Sequence, residues 1–357
     1  MSKADSPEAA HADETPERAV AFADAPDPVL GLLPWRRVAV FYLAGLFAAI
    51  APMGLLAHEF FWVNILTYTY LFAGLAVAWN IIAGFGGQFS LGHGVFFAVG
   101  AYTTVRLFLD WHLTPWLGLL PGALICAVAG PLIFWPTFRL KGSFFAIATL
   151  AFNQVAFVFA NYFDSLTGGP RGLQVPFRAG TANMIFTSPD AYAVLMFGFM
   201  AMALAIVIVL MRSRLGYYLL AVREDEDAAR AAGISVIGVK LRATALSAAL
   251  TAIGGGLFAM YIRTIDPPTL FSLPDIGVKF ALLTLIGGMG TIAGPVLGAF
   301  LIVPLESYFR AALGGAGPGV YLILLGAVMI AAALFMRRGV AGAIDAVWQR
   351  WRPARKK

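Results

Sequence analysis

Long apolar runs, separated by short polar stretches, occupy most of the chain between residues 38 and 335. An apolar run of about twenty residues is long enough to cross a bilayer as an α-helix. The pattern predicts spans at 38–56, 62–82, 91–109, 115–138, 143–163, 191–211 and 241–262. The chain is therefore expected to be all-α and to be a polytopic integral membrane protein.

Basic residues beside the spans predict the orientation, because Lys and Arg collect on the cytoplasmic side of a membrane. Arg36 and Arg37 precede the first span, and a basic tail from Arg337 to Lys357 follows the last. Both termini are therefore expected in the cytoplasm. The seven spans listed above leave the chain outside at 266–275, so an odd number of crossings must follow.

The apolar run at 278–305 and the final span at 320–335 supply an odd number only if the run is divided. Its glycine-rich sequence GGMGTIAGP, at 287–295, suits a tight cytoplasmic turn between a broken or re-entrant pair of helices. The total is then about ten crossings.

The two ends of the chain differ in composition from its middle. Residues 1–35 are acidic and rich in Pro and Ala, which predicts a disordered cytoplasmic tail without a cleavable signal peptide. Residues 36–336 form the predicted membrane domain, and residues 337–357 form a basic cytoplasmic tail.

Composition excludes several classes of protein. Hydrophobic residues make up 60% of the chain and charged residues 12%, far from the composition of a soluble domain. The net charge of +6 comes from residues that flank apolar runs, so no nucleic-acid surface is expected. One cysteine, Cys126, and four histidines without metal-ligand spacing predict neither a disulfide nor a metal site.

One interior segment, 212–240, is dense in charge and must lie in water between two spans. Opposite charges four residues apart, at Arg223 and Asp227 and at Glu226 and Arg230, favour a short exposed helix that stops at Gly233. Its apolar side suits packing in a groove of another protein and consists of Leu219, Val222, Ala229 and Ala232.

A glycine-rich stretch, GFGGQFSLGHG at 84–94, interleaves glycines with Gln88, Ser90 and His93. Such a run breaks a helix, which membrane depth tolerates only where protein or a water-filled path satisfies the backbone. Two interpretations stay open: a broken helix near a translocation path, and a cytoplasmic turn with close helix packing.

Polar residues within the predicted spans need a partner, water or a function. Lys279 is expected to reach the outer membrane surface with its long side chain, and Glu306 to pair with Arg310 one turn away. Asn153 and Gln154 are expected to bridge helices. The amides of Asn64 and Asn80 carry no assigned role.

Several motifs resemble one family of membrane proteins. The sequence DAARAAG at 227–233 resembles the Glu-Ala-Ala…Gly loop of ABC-importer permeases, with Asp227 in place of Glu. AWNIIAGFGGQ at 78–88, SLGHGVFFAVGAY at 90–102, LTGGPRGL at 166–173 and GGMGTIAGPVLGA at 287–299 are similar to LivM-type permeases of branched-chain amino acid ABC importers. The likeness covers about residues 62–336, in the same order.

The resemblance implies a permease domain in the bacterial cytoplasmic (inner) membrane. Its implied partners are a second, LivH-like permease, two cytoplasmic ATPase subunits and an exterior, periplasmic solute-binding protein. The sequence contains no G-x-x-x-x-G-K-[ST] phosphate loop, so the chain is not expected to be an enzyme or to bind a cofactor. ATP and Mg are expected on the partner subunits.

The resemblance also implies three groups of site residues. Those expected to couple to the ATPase are Arg223, Glu224, Asp227, Ala228, Ala229 and Gly233. Candidates for the translocation path are Gln88, Ser90, His93, Gly287, Gly288 and Gly290. Candidates for docking the binding protein are Gly168, Gly169, Pro170 and Arg171.

Alternative functions stay open from the sequence. The first is a permease of the same superfamily for urea or short amides. The second is an ion-coupled secondary transporter, which needs an unpaired intramembrane carboxylate; Glu306 comes nearest, but Arg310 is close to it. A third, an intramembrane enzyme, lacks His-Glu-x-x-His and Gly-x-Ser-x-Gly motifs.

Overall fold

A computed structural model describes residues 35–56, 59–140 and 142–313, together with short pieces between 319 and 340. The described residues are almost entirely helical, as expected for an all-α membrane protein. The predicted tails at 1–35 and 337–357 fall almost wholly outside the described residues, as does most of the predicted span at 320–335.

Thirteen α-helices are numbered here in chain order within the described residues. They are α1 (Trp35–Leu56), α2 (Phe60–Asn80), α3 (His93–Trp111), α4 (Pro115–Phe134), α5 (Ser143–Tyr162), α6 (Asp164–Thr167), α7 (Pro189–Met211), α8 (Arg214–Glu224), α9 (Glu226–Ala231), α10 (Val236–Ile262), α11 (Pro267–Leu270), α12 (Lys279–Gly288) and α13 (Gly294–Leu313).

Seven helical stretches of the described chain are long and apolar enough to cross a membrane. They are Phe60–Phe85, Pro115–Arg139, Ser143–Tyr162, Pro189–Met211, Val236–Ile262, Pro267–Gly288 and Gly294–Leu313. Two helices that the sequence predicts as spans, α1 and α3, are not among them. In α1 the apolar part is the shorter stretch Tyr42–Gly54, and α3 carries an ion pair between Arg106 and Asp110 near its end. The prediction of about ten crossings stays a prediction.

The glycine-rich sequence at 287–295 divides the apolar run at 278–305 into two helices, as the sequence predicts. Helix α12 ends at Gly288, and α13 begins at Gly294. The preceding exterior loop, predicted at 266–275, is instead partly helical: α11 and a π-helical turn, Leu273–Val278, lead directly into α12. Pro267 and Pro274 each stand at the start of a helical turn, where a missing N–H is harmless.

Helices α2 and α10 form the centre of the bundle. The apolar window of α2 is 94% buried, and its neighbours are α7, α10, α12 and α13. Helix α10 packs against α2, α3 and α4. A helix that is apolar on all sides is stable only when other helices cover it, which explains why α2 is central.

The outer helices show the opposite pattern. Only 28% of the apolar window of α4, 22% of that of α5 and 28% of that of α13 is buried in the chain. Their remaining apolar surface has the composition of a face that meets lipid or another membrane subunit.

Glycines let α3 and α10 approach until their backbones touch. A Cβ atom added at Gly100 would overlap the carbonyl oxygen of Ala252, and one added at Gly255 would overlap that of Phe97. Small residues at such contacts are typical of helices that pack inside membranes. The crossing of α3 and α10 therefore requires glycine on both sides.

A small sheet joins two segments that follow long helices. Strand β1 (Leu173–Gln174), after α5, pairs antiparallel with β2 (Thr264–Ile265), after α10, with Leu173 opposite Ile265. The loop that contains LTGGPRGL is thereby fixed to the C-terminal end of α10.

We expect Gly255→Ala to lower the unfolding temperature of the protein in detergent, because the added methyl group collides with the backbone of α3. The free energy of unfolding is expected to fall by about 1–3 kcal/mol, the usual cost of adding atoms to a well-packed core. Gly198→Ala is the matched control: Gly198 also lies inside a long helix, α7, but a Cβ atom there would meet nothing within 4 Å. The control should be neutral or slightly stabilising; equal effects of the two variants would contradict the close crossing.

Candidate functional site

The charged segment between α7 and α10 folds as two helices, not as the single short helix expected from the sequence. Helix α8 ends at Glu224, and α9 begins at Glu226. Asp225 stands between them in an extended conformation, and its carboxylate accepts hydrogen bonds from the backbone N–H of Asp227 (2.8 Å) and Ala228 (3.0 Å). An aspartate that caps a helix N-terminus in this way ends the preceding helix and starts a new one.

The predicted stop at Gly233 is confirmed. Gly233 has φ +82°, a conformation that glycine adopts without strain. Its N–H bonds to the carbonyl of Arg230 at 3.0 Å, and the N–H of Ile234 bonds to the carbonyl of Ala229 at 3.0 Å. The segment then ends earlier than predicted, because α10 begins at Val236 and includes Lys240.

The apolar side of this segment faces the protein itself. Leu219, Val222 and Ala229 are buried against α2, α7 and α10, while Ala232 is exposed. The expectation that this side lies free for the groove of another protein is therefore wrong. The solvent-exposed face carries charged residues and residues with small side chains, among them Glu224, Asp227, Ala228, Arg230 and Gly233.

The two charge pairs expected on one helix are rearranged by the break at Asp225. Arg223 and Asp227 now lie on different helices, and Asp227 pairs with Arg230 at 2.8 Å in a solvent-exposed bridge. Glu226 turns inward and pairs with Lys240. An exposed bridge such as Asp227–Arg230 contributes little to stability.

Arg223 connects α8 with both glycine-rich stretches. Its guanidinium donates from Nη1 to the carbonyl oxygen of Gly84 at 2.8 Å. The same Nη1 occupies the space that a Cβ atom of Gly290 would need, and Gly290 has φ +79°. The backbone conformation of Gly290 therefore favours glycine, and a side chain there would also displace the tip of Arg223.

Asn80, the last residue of α2, holds the turn at 287–295 in place. Its Nδ2 donates to the carbonyl of Thr291 and its Oδ1 accepts from the N–H of Gly290, both at 2.9 Å. Asn80 is buried, so these bonds satisfy backbone groups that water does not reach. The role of Asn80 could not be predicted from the sequence, because its partners lie 210 and 211 residues away.

Lys240 is the residue that the sequence analysis missed. Its side chain is 1% exposed, and its Nζ lies 2.6 Å from Oε1 of Glu226. The same Nζ lies 3.5 Å from the carbonyl oxygen of Phe138, in the turn that ends α4. The available signal was a lysine near the start of a mainly apolar helix, because a lysine that is buried there needs an anionic partner.

Gln88 reaches the same carboxylate from the glycine-rich stretch. Its Nε2 lies 3.5 Å from Oε1 of Glu226, and its own Oε1 is buried without a hydrogen-bond partner among the described residues. Glu226 therefore stands between α10 and the stretch at 84–94.

Ser90 and His93, the other polar candidates for the path, are both completely buried. The Nδ1 of His93 lies 3.0 Å from Oγ of Ser90, and its Nε2 lies 2.9 Å from Oγ of Ser247 on α10. Ser247 donates to the carbonyl of Ala78 at 2.7 Å, and Trp79 donates to the carbonyl of Ser90 at 2.7 Å. In this conformation the two residues tie the stretch to α2 and α10; that they line a path stays a prediction.

The remaining path candidates are glycines that pack α12 against α13. A Cβ atom at Gly287 would overlap the carbonyl oxygen of Gly294, and Gly288 has φ +125°. These positions tolerate no side chain in this conformation. Their part in a path also stays a prediction.

The candidate docking loop lies beyond the C-terminal end of α10. Gly168 and Gly169 have positive φ, Gly169 is buried, and Pro170 and Arg171 are exposed. Arg106 of α3 supports the loop by donating to the carbonyls of Ser165 and Leu166, both at 2.7 Å. Since α10 has 27 residues, this loop and the α8–α9 segment lie about 40 Å apart along it.

Three charged residues meet between α12 and α13. Lys279 lies 2.7 Å from Oε2 of Glu306 and 4.3 Å from the ring centre of Phe72. Arg310 lies 2.8 Å from Oε1 of Glu306, which confirms that predicted pair. The expectation that Lys279 extends to the membrane surface is wrong, because a carboxylate is within reach inside the bundle.

The two amides of α5 behave differently from each other. Asn153 is buried and donates to the carbonyl of Phe271 at 3.1 Å, so it bridges two segments as expected. Gln154 lies on the exposed side of α5. Asn64 also bridges two helices, because the hydroxyl of Tyr261 donates to its Oδ1 at 2.5 Å.

Comparisons with known proteins agree with this architecture. Residues 61–333 match the family model for the permease component of branched-chain amino acid transport systems. The LivM permease proteins of the high-affinity branched-chain amino acid transport systems of Salmonella typhimurium and Escherichia coli are each 31% identical over 271 residues, covering 70% of this chain. The LivH permease protein of Salmonella typhimurium is 24% identical over 288 residues, which cover 76% of this chain and 91% of LivH.

The chain spans 63% of the length of these two LivM relatives. No solved structure matches it. The family match nevertheless extends through every long helix from α2 to α13 and across both glycine-rich stretches. The chain belongs to the family of permease components of branched-chain amino acid transport systems.

Proposed function

We propose that this chain is the permease subunit of an ATP-driven ABC importer for leucine, isoleucine and valine. The main support for this proposal is the family match. The α8–α9 segment adds to it, because it presents a charged face to solvent and contacts both glycine-rich stretches through Arg223. The relatives named LivM and LivH support a second, LivH-like permease as partner. Two ATPase subunits and an exterior binding protein complete the proposed assembly.

The proposed topology has about ten crossings, with both termini in the cytoplasm of a bacterium. Counted in order, the crossings are α1, α2, α3, α4, α5, α7, α10, the helical stretch Pro267–Gly288, α13 and the predicted span at 320–335. This order places the α8–α9 segment on the cytoplasmic side and the LTGGPRGL loop outside. The basic residues Arg212 and Arg214 beside the segment support that orientation.

The proposed contact with an ATPase uses the exposed face of the segment. Glu224, Asp227 and Ala228 point to solvent around the start of α9, and Gly233 ends that surface. Arg223 is exposed but its guanidinium reaches inward to bond to Gly84, and Ala229 is packed against the core. Force on the outer face would therefore reach the glycine-rich stretches directly.

The proposed substrate is a zwitterion with an apolar side chain, so its path needs backbone dipoles and neutral polar groups. Gln88, Ser90, His93, Gly287, Gly288 and Gly290 supply such groups around the two breaks. Because Ser90 and His93 are enclosed in this conformation, the path is proposed to open only when the stretch at 84–94 moves.

The proposed docking surface for the binding protein is the loop that carries Gly168, Gly169, Pro170 and Arg171. The exposed Arg171 and Arg178 make it cationic and suit an acidic partner surface. ATP and Mg are proposed to bind to the partner ATPases, and no cofactor is assigned to this chain.

A secondary transporter is disfavoured by two ion pairs at one carboxylate. The carboxylate of Glu306 is held by Lys279 and Arg310, whereas ion coupling needs a carboxylate that can exchange its partner. A permease for urea or short amides shares the same architecture, and a ligand-binding assay on the partner binding protein distinguishes these substrates.

We expect purified complex in proteoliposomes to take up radiolabelled leucine only when ATP, both ATPases and the loaded binding protein are present. The reason is that the chain carries no phosphate loop of its own. The measurement is uptake with each component omitted in turn. Uptake by this chain alone, in vesicles without ATP, would contradict the proposal.

We expect Gly233→Val to abolish co-purification of the ATPases without affecting membrane insertion. A β-branched residue at φ +82° is strained by about 1–2 kcal/mol, which distorts the end of α9. Gly233→Asn is the matched control, since asparagine tolerates this conformation better. A Cβ atom at Gly233 meets nothing within 4 Å, so backbone strain alone separates the variants. ATPase binding by Gly233→Val at the level of the wild type would argue against the coupling assignment.

A further inference from the structure

Lys240 and Glu226 form a buried connection that no sequence motif marks. Lys240 lies in the first turns of α10, and Glu226 is the first residue of α9. Their 2.6 Å contact is enclosed, with the lysine side chain 1% and the glutamate side chain 18% exposed. Around them meet the turn that ends α4, through the carbonyl of Phe138, and the glycine-rich stretch, through Gln88.

Stability alone is a poor explanation for such a pair. A buried ion pair loses nearly as much free energy by desolvation as it gains by attraction, and well-packed apolar residues of similar size often replace it without loss. The neighbouring contacts of the segment are in fact apolar, through Leu219, Val222 and Ala229. A charged pair within this apolar surface therefore indicates a different role.

The pair has a property that apolar packing lacks. The attraction between two opposite charges falls slowly with distance, whereas packing contacts are lost over a fraction of an ångström. Glu226 belongs to the same six-residue helix as Asp227 and Ala228 of the proposed ATPase contact, so a partner that displaces α9 would displace Glu226 as well. Glu226 can follow such a movement and still pull on Lys240.

The surroundings of the pair also contain a buried acceptor without a partner among the described residues. The ammonium of lysine has three N–H donors, and the contacts described here use two of them, to Glu226 and to Phe138. The buried Oε1 of Gln88 has no partner among the described residues, although its Nε2 reaches the same Glu226 oxygen. Gln88 is therefore linked to the pair through the Glu226 oxygen that Lys240 also contacts.

We propose that the Glu226–Lys240 pair is the positioning element that transmits movement of α9 to α10 and, through Gln88, to the glycine-rich stretch at 84–94. This inference rests on the proposed function, because it assumes that α9 contacts an ATPase. It assigns opposite roles to adjacent residues: Asp227 faces the partner, and Glu226 conveys the movement inward.

The test uses the full complex with the double variant Glu226→Gln, Lys240→Met, which removes both charges and leaves neither one buried alone. We expect the variant to keep its unfolding temperature and its ATPase subunits. Leucine uptake per ATP hydrolysed should fall roughly tenfold or more, within the usual range of coupling free energies. Arg242→Gln, an exposed cation two residues farther along α10, is the matched control and should behave as the wild type.

If the double variant takes up as much leucine per ATP hydrolysed as the wild type, the inference is overturned and the proposed function is unaffected. Failure of the wild-type complex to assemble or to import leucine would refute the proposed function itself. If the double variant does not fold, Glu226→Asp replaces it, because it keeps the charge and shortens the reach by one methylene group. Intermediate coupling with full ATPase binding then supports the inference, and unchanged coupling contradicts it.

Discussion

The structure depends on how it satisfies the backbone of two interrupted helices inside an apolar bundle. Every N–H and C=O that leaves a helix at membrane depth needs a partner from the protein, because lipid offers none. Here Asn80 binds both a donor and an acceptor of the turn at 287–295, and Arg223 binds the carbonyl of Gly84. Asn80 belongs to α2 and binds the turn at 287–295, whereas Arg223 belongs to α8 and binds the stretch at 84–94. Because Arg223 also lies against Gly290, the two interrupted regions are connected.

This joining connects the central helix with the charged segment. Helix α2 is buried along nearly its whole length and ends at Asn80, directly before the glycine-rich stretch. Arg223 reaches the same place from α8, with its guanidinium against Gly290. Both breaks are therefore contacted by one guanidinium at the end of the central helix.

The sequence predicted the elements better than their connections. Apolar runs located helices to within a few residues, as for 143–163 against Ser143–Tyr162 and 191–211 against Pro189–Met211. The break at Asp225 was missed because an aspartate within a helical charge pattern reads equally well as a helical residue or as a cap. The Asn80–Gly290 bonds and the Glu226–Lys240 pair involve residues distant in the chain, and no spacing rule identifies such partners. Lys279 was misjudged for the same reason, since its partner Glu306 belongs to the next helix.

The short helix α12 is attached to α2 at both of its ends. Its first residue, Lys279, is held by Glu306 of α13 and lies over the ring of Phe72 of α2. Just beyond its other end, about 15 Å away, Asn80 binds the turn that leads to α13. The stretch at 84–94 is also held by α2, because the indole N–H of Trp79 donates to the carbonyl of Ser90. In addition it contacts α8 through Gly84, α9 through Gln88 and α10 through His93. Since Arg223 bonds to Gly84 and lies against Gly290, the charged segment contacts both breaks at the end of the central helix.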